Sequence, residues 1–121
     1  MFDHVGLHVR DLAKSSRFYE AALAPLGYVV GTRDATSVSF GPAGAPALYL
    51  YQGKGSAGPG THLALTAKAR SSVEQFHERG LSAGGKDNGA PGIRADYAAN
   101  YYAAFLIDPD GNNVETVCFS E

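Results

Sequence analysis

The chain has one cysteine, Cys118, so no disulfide can form within it. A lone thiol of this kind fits a reducing cytoplasm, which is the expected location. Basic residues are not in excess. Ten Lys and Arg stand against twelve Asp and Glu, for a formal charge of −2, and no basic cluster occurs. That gives no footing for nucleic acid or for an anionic membrane surface as partner. No segment approaches the roughly 18 consecutive apolar residues that cross a bilayer. The opening MFDHVGLHV has neither a basic region nor a long apolar run, so no signal peptide is expected. No G-x-x-x-x-G-K-[ST] and no strand-linked G-x-G-x-x-G is present, so the glycines of DNGAPG read as turn formers and not as a phosphate loop.

What remains is an ordinary globular composition over 121 residues, 45% hydrophobic and 18% charged. Such a chain fits one domain, 1–121, with a core that needs no covalent staple. Its fifteen glycines and six prolines are spread along the chain, which implies many turns and no single linker.

An internal repeat organises the sequence. At an offset of 58 residues, His4 matches His62, Val5 matches Leu63 and Leu7 matches Leu65. At the same offset Phe18 matches Phe76, Glu20 matches Glu78, Leu23 matches Leu81 and Gly27 matches Gly85. Both halves read strand, helix, glycine turn, and we take them as a duplicated unit. Val5, Leu7 and Val9 alternate with His4, Gly6, His8 and Arg10, the pattern of a half-buried strand. Asp11 can cap the helix that follows. Tyr19, Leu23 and Leu26 share a helical face, and Pro25 with Gly27 ends it. In the second half Ser71 and Glu74 have capping-box spacing, Val73, Phe76, His77 and Gly80 repeat the helical spacing, and Gly84-Gly85 stops it.

Strands are expected at 28–32, 36–40 and 47–52, then near 82–87, at 101–108 and at 113–119. The stretch DNGAPGIRADYAAN between them reads as a long loop. Each half is thus β-α-β-β-β, with limits expected at 1–56 and 61–121, and the fold class is α+β. Asp108-Pro109-Asp110-Gly111 has type I turn chemistry, so Asp108 and Asp110 read as turn formers.

Alternation puts His4 and His62 on the face of each sheet away from the helix, together with Glu115 in the last strand. The counterpart of Glu115 in the first half is Tyr49. If a pseudo-twofold relates the halves, His4, His62 and Glu115 come near its axis. Two imidazoles and a carboxylate make a ligand set for a divalent transition metal, with positions left for water and substrate. Fe²⁺, Mn²⁺, Ni²⁺ and Zn²⁺ all suit it. Any single His on a strand is more often structural; it is the repeated placement that argues for a site. His8 shares the face of His4 and reads as a rim residue, His77 as a structural residue of the second helix, and Cys118 as buried filler.

The segments DHVGLHVRDLAKSSRFYEAALAPLGY, GTHLAL and DPDGNNVE resemble the vicinal oxygen chelate superfamily, which includes glyoxalase I, extradiol dioxygenases, fosfomycin-resistance thiol transferases and bleomycin-binding proteins. The resemblance covers nearly the whole chain. It implies an open, U-shaped mixed sheet, commonly a homodimer, and metal ligands on the first and fourth strands of each module, which here are His4, Tyr49, His62 and Glu115. Glyoxalase I has a second carboxylate where Tyr49 stands; the His, His, Glu set is more similar to the dioxygenases and the fosfomycin-resistance enzymes. The resemblance leaves open whether such a site closes within one chain or across two.

The expected function is therefore a divalent-metal-dependent lyase, isomerase or dioxygenase whose small substrate chelates the metal through vicinal oxygens, with Glu115 and Tyr49 as candidate catalytic residues. Tyr49, Tyr51, Arg94, Tyr97, Tyr101 and Phe105 are candidate substrate contacts, Arg94 for an anionic group. The alternative is a non-catalytic protein that binds an antibiotic or another small molecule, as bleomycin-binding relatives do. The aromatic residues favour that alternative, and the complete His, His, Glu set argues against it. A third option is a structural dimer with a vestigial site.

Overall fold

The computed structural model describes residues 1–53 and 58–120. The module limits expected at 56 and 121 lie outside the described residues. The first half contains β1 (Val5–Val9), α1 (Leu12–Leu23), a 3-10 turn (Ala24–Leu26), β2 (Val29–Arg33), β3 (Ser37–Gly41) and β4 (Leu48–Gln52). The second contains β5 (His62–Thr66), α2 (Arg70–Ser82), β6 (Lys86–Ile93), β7 (Tyr102–Ile107) and β8 (Asn113–Cys118). Each half makes its own open, mixed four-stranded sheet, in the order β1-β4-β3-β2 and β5-β8-β7-β6. In both, the first strand runs parallel to the last and the rest is antiparallel.

The registers show the repeat directly. Tyr49 pairs with Gly6, and Glu115 pairs with Ala64, the residue 58 places after Gly6. Tyr49 and Glu115 therefore hold equivalent positions, as the alternation predicts.

α1 starts where Asp11 accepts the Lys14 backbone N–H at 3.1 Å. Its buried face is Ser15, Phe18, Tyr19, Ala22 and Leu23, spaced for one helical stripe. The helix gives way to the Pro25 turn, and Gly27 closes it at φ 84°, a conformation that favours glycine. α2 departs from expectation at its start. Ala69 is its N-cap and, among the described residues, no side chain caps it, because the helix already begins at Arg70 and encloses Ser71. The Glu74 carboxylate instead accepts the Tyr102 hydroxyl at 2.7 Å.

β6 is the second departure. DNGAPGI lies in a strand and not in a loop. β6 is an edge strand, where Pro91 costs no ladder bond on the open side, and its register shifts between Asp87, Gly89 and Gly92.

Each helix covers one face of its own sheet, and α1 packs on α2. One apolar core runs through both halves, from Leu7, Val9, Val38 and Leu50 through Phe18, Tyr19 and Phe76 to Leu106 and Val114. Burying each such leucine or phenylalanine contributes about 1.5–3 kcal/mol. The helices approach closely at Gly80, where a Cβ would lie 2.3 Å from Leu106 and 3.4 Å from Ala22. No helix among the described residues is long and apolar enough to cross a membrane.

The β7–β8 turn ties the halves together, which turn chemistry alone does not explain. Asp108 and Asp110 are buried. Asp108 accepts the Tyr19 hydroxyl of α1 at 2.5 Å, and also the backbone N–H groups of Asp110 and Asn112. Asp110 accepts from the Ser15 hydroxyl and from the Arg10 backbone N–H. The reading of both aspartates as simple turn formers is thus corrected: their carboxylates face the other module.

Candidate functional site

Glu115 sits in the middle of β8, on the face away from α2, while Val114, Thr116 and Cys118 point to the helix side. Its side chain is only 4% exposed. Oε1 lies 2.8 Å from His62 Nε2, and Oε2 accepts the Tyr101 hydroxyl at 2.6 Å. Among the described residues no lysine or arginine pairs with it. A carboxylate so well removed from water, without a permanent cation, is costly unless a positive charge joins it. His62, at the start of β5, keeps 47% of its side chain exposed.

Tyr101 comes just before β7. Its ring meets Tyr97 edge-on at 5.0 Å and Phe119 edge-on at 5.4 Å. Burial first, then the hydrogen bond and charge of Glu115, push its phenol up to about 12. Tyr101 is therefore a donor to Glu115 throughout the neutral range. Phe119 was not singled out in the sequence, although alternation along the strand expected at 113–119 places it on the same face as Glu115.

The equivalent face of the first sheet carries aromatic rings. His4 and Tyr49 meet edge-on at 5.2 Å, Tyr49 stacks parallel to Tyr51 at 6.2 Å, and His8 tilts against Tyr51 at 5.5 Å. The ladder forms because Gly6 stands between the two histidines; a Cβ there would lie 2.9 Å from the Tyr51 ring. His4 is exposed and its Nδ1 lies 2.7 Å from Asp3 Oδ1.

Arg94 lies beyond β6. Its guanidinium donates to the carbonyls of Gly92 and Ala90 at 2.8 and 2.7 Å and rests 5.2 Å from the centre of the Phe105 ring. Phe105 pairs with Glu115 across β7 and β8, so Arg94 and Phe105 flank the carboxylate's face of the sheet. Tyr97 is 65% exposed and touches Tyr101 rather than Glu115. Tyr102 turns to the helix side, with Arg70 over its ring and Glu74 on its hydroxyl. His77 is structural as expected, and pairs with Asp87 at 2.8 Å. A separate groove of about 760 Å³ lies between α1 and the β2–β3 hairpin and contains none of the candidate residues.

The structure therefore brings together His62, Glu115 and Tyr101 in one place, and His4, Tyr49, Tyr51 and His8 in another. Among the described residues no three His, Cys, Asp or Glu side chains gather. The donor chemistry of the His62–Glu115 pair fits a divalent transition metal, an imidazole nitrogen beside a carboxylate oxygen. It supplies two of the three expected ligands, and His4 of the same chain does not complete it.

A family model described as the Glyoxalase/Bleomycin resistance protein/Dioxygenase superfamily matches residues 1–116. Among solved structures the chain is similar to a glyoxalase/bleomycin resistance protein from Albidiferax ferrireducens T118, at 29% identity and a TM-score of 0.83, covering 98% of each chain. It shares its fold with a glyoxalase-related enzyme from Fulvimarina pelagi, at 21% identity and a TM-score of 0.73, covering 98% of this chain and 87% of that one. It likewise shares the fold of a glyoxalase/bleomycin resistance protein/dioxygenase family enzyme from Burkholderia phytofirmans PsJN, at 16% identity and a TM-score of 0.74, covering 98% of each. No curated protein matches the chain.

Proposed function

Because the chain belongs to the glyoxalase/bleomycin resistance protein/dioxygenase superfamily, we propose that it is a small divalent-metal-dependent enzyme whose substrate offers two neighbouring oxygens. The observation that carries this reading is Glu115, a buried carboxylate 2.8 Å from an exposed imidazole, with no lysine or arginine beside it among the described residues. His62 and Glu115 of one chain would hold the metal together with His4 of a second copy, and Tyr49 would stand beside that His4 as a hydrogen-bond donor to substrate. β1, which His4 leads into, and β5, which His62 opens, are edge strands of their sheets, and this supports an assembly of two copies.

When bound, the metal supplies a Lewis acid that stabilises negative charge on a substrate oxygen. The chain's own residues then have separate tasks. Glu115 is the site's carboxylate and its candidate proton acceptor. Arg94, held over Phe105, offers positive charge to an anionic substituent. Phe105 and the Tyr49–Tyr51 pair give flat apolar walls for the body of the substrate. Lyase, isomerase and dioxygenase chemistry all fit these roles.

The ring ladder of His4, Tyr49, Tyr51 and His8 favours a second reading, a protein that stacks a planar compound without changing it. Elemental analysis of untagged protein, beside the Glu115→Ala variant, separates the two. About one metal per chain, as for one four-ligand site, and its loss in the variant support the enzyme. Absence of metal in both, also after incubation with Mn²⁺, Fe²⁺, Ni²⁺ and Zn²⁺, refutes it in favour of the binding protein.

A further inference from the structure

Tyr101 and Tyr102 are neighbours in sequence, and both hydroxyls donate to a glutamate, yet the two bonds lie on opposite faces of the sheet. Tyr102 reaches Glu74 on α2, against the helix side. Tyr101 reaches Glu115, on the other face. The Glu115 carboxylate has a different partner on each oxygen, the phenol on Oε2 at 2.6 Å and the imidazole on Oε1 at 2.8 Å. An O–H bond to a carboxylate at that length is in the strong, charge-assisted range.

Tyr101 is itself held in place. Tyr97 and Phe119 meet its ring edge-on at 5.0 and 5.4 Å. Its backbone N–H donates to the Ala98 carbonyl at 3.2 Å, and its carbonyl accepts from the Arg94 N–H at 2.8 Å, which closes the loop between β6 and β7. A donor fixed at ring and backbone fixes the acceptor's plane.

We infer that Tyr101 is a positioning residue: it occupies Oε2 of Glu115, so that the carboxylate meets its ligand through Oε1 alone, on the side of His62. This rests on the metal-site reading above and deepens it. Glu115 then acts as a one-oxygen ligand with its orientation set before any metal arrives, and the second oxygen is unavailable for chelation. The sequence suggested Tyr101 as a substrate contact; the geometry makes it a partner of the carboxylate instead.

The test compares metal-free wild type, Tyr101→Phe and Tyr102→Phe. The second variant deletes an equal hydroxyl one residue away on the helix side, so it controls for general loosening of β7. Co²⁺ is titrated by calorimetry, and the visible absorption of the Co²⁺ form is recorded. Loss of an orienting partner behind a ligand costs roughly 10- to 100-fold in metal affinity. Tyr101→Phe is expected to lose affinity in that range, with a changed Co²⁺ spectrum, while Tyr102→Phe matches wild type. Unchanged affinity and spectrum in Tyr101→Phe, with wild type binding Co²⁺, overturns the inference and leaves the metal-site reading standing. If wild type binds no Co²⁺, that reading fails by itself, and the ¹⁵N signals of the His62 imidazole in metal-free protein decide the inference. A change in Tyr101→Phe and none in Tyr102→Phe supports it. No change in either refutes it.

Discussion

Replacing Tyr19 with phenylalanine removes a single oxygen from the junction between the two modules and leaves the aromatic ring in the core. The side chain is fully buried, so ring burial is unchanged. What is lost is the hydroxyl bond to Asp108 Oδ2, whose other partner is the Asn112 amide at 3.3 Å. Oδ1 keeps the backbone N–H groups of Asp110 and Asn112 at 2.8 and 2.9 Å. A hydrogen bond to a charged group contributes about 1.5–3 kcal/mol, and the carboxylate left behind is buried with one oxygen poorly satisfied. Tyr19→Phe should therefore destabilise the protein by about 2 kcal/mol, or roughly 8 °C in Tm for a chain of this size. Urea denaturation followed by circular dichroism measures it.

The pH dependence of the same variant gives an independent check. Burial first, then the charge and hydrogen bond of Asp108 and the charge of Asp110, raise the Tyr19 phenol well above the ordinary tyrosine value. In the unfolded chain a tyrosine ionises near pH 10. A group raised in the folded state contributes its full stability below that pH and loses it as pH climbs toward the folded value. Wild type should thus lose stability above about pH 10 more steeply than Tyr19→Phe. A variant within about 0.5 kcal/mol of wild type, the scatter of ordinary surface substitutions, with the same alkaline slope, would refute the claim that this bond joins the modules.

Gly80→Ala places a methyl 2.3 Å from Leu106 and 3.3 Å from Phe18; overpacking of about 1–3 kcal/mol should exceed the gain of up to ~1 kcal/mol in helix propensity, and a thermal melt above wild type would contradict this. Thr116→Val should stabilise by about 1 kcal/mol, because the Thr116 hydroxyl is buried with no hydrogen-bond partner among the described residues; a lower urea midpoint would count against it. The His77 hydrogen bond first, then the Gly89 backbone N–H, holds the Asp87 carboxyl below its usual range. That contribution is present above the ordinary carboxylate pKa and lost as pH falls below it. Asp87→Asn should flatten the acid limb of the stability curve, and an unchanged limb in acid titration would remove His77–Asp87 as a clasp.

Much of the fold was legible because the duplication supplied each pattern twice. His4 with His62 and Phe18 with Phe76 mark the same strand and helix in both halves, and alternation in β1 and β5 separates the helix side from the other face. The misreadings share a cause. Gly89, Pro91 and Gly92 are turn signals by local chemistry, but an edge strand can absorb them in bulges. Ser71 and Glu74 have the spacing of a capping box, yet the Tyr102 hydroxyl takes the glutamate. Asp108 and Asp110 looked complete as turn residues because their real partners, Tyr19 and Ser15, are 89 and 95 residues away.

The site divides along the same line. Equivalent placement of Tyr49 and Glu115 follows from periodicity, which is local. The bond from Tyr101 to Glu115 depends on how β7 lies beside β8, and whether His4 joins the His62–Glu115 pair depends on how the two sheets are placed. Neither is written in a residue pattern.

The central claim is a metal site composed of His62 and Glu115 from one chain and His4 from another. Co-expression of a His4→Ala chain with a Glu115→Ala chain, separately tagged, isolates the mixed assembly for metal titration. In a twofold pair one site joins the intact His4 of one chain to the intact His62 and Glu115 of the other, and the second site carries both substitutions. The account predicts that the mixed pair binds about one metal, with wild-type affinity, while each variant alone binds none at that affinity. A mixed pair that binds no better than its separate variants would contradict it.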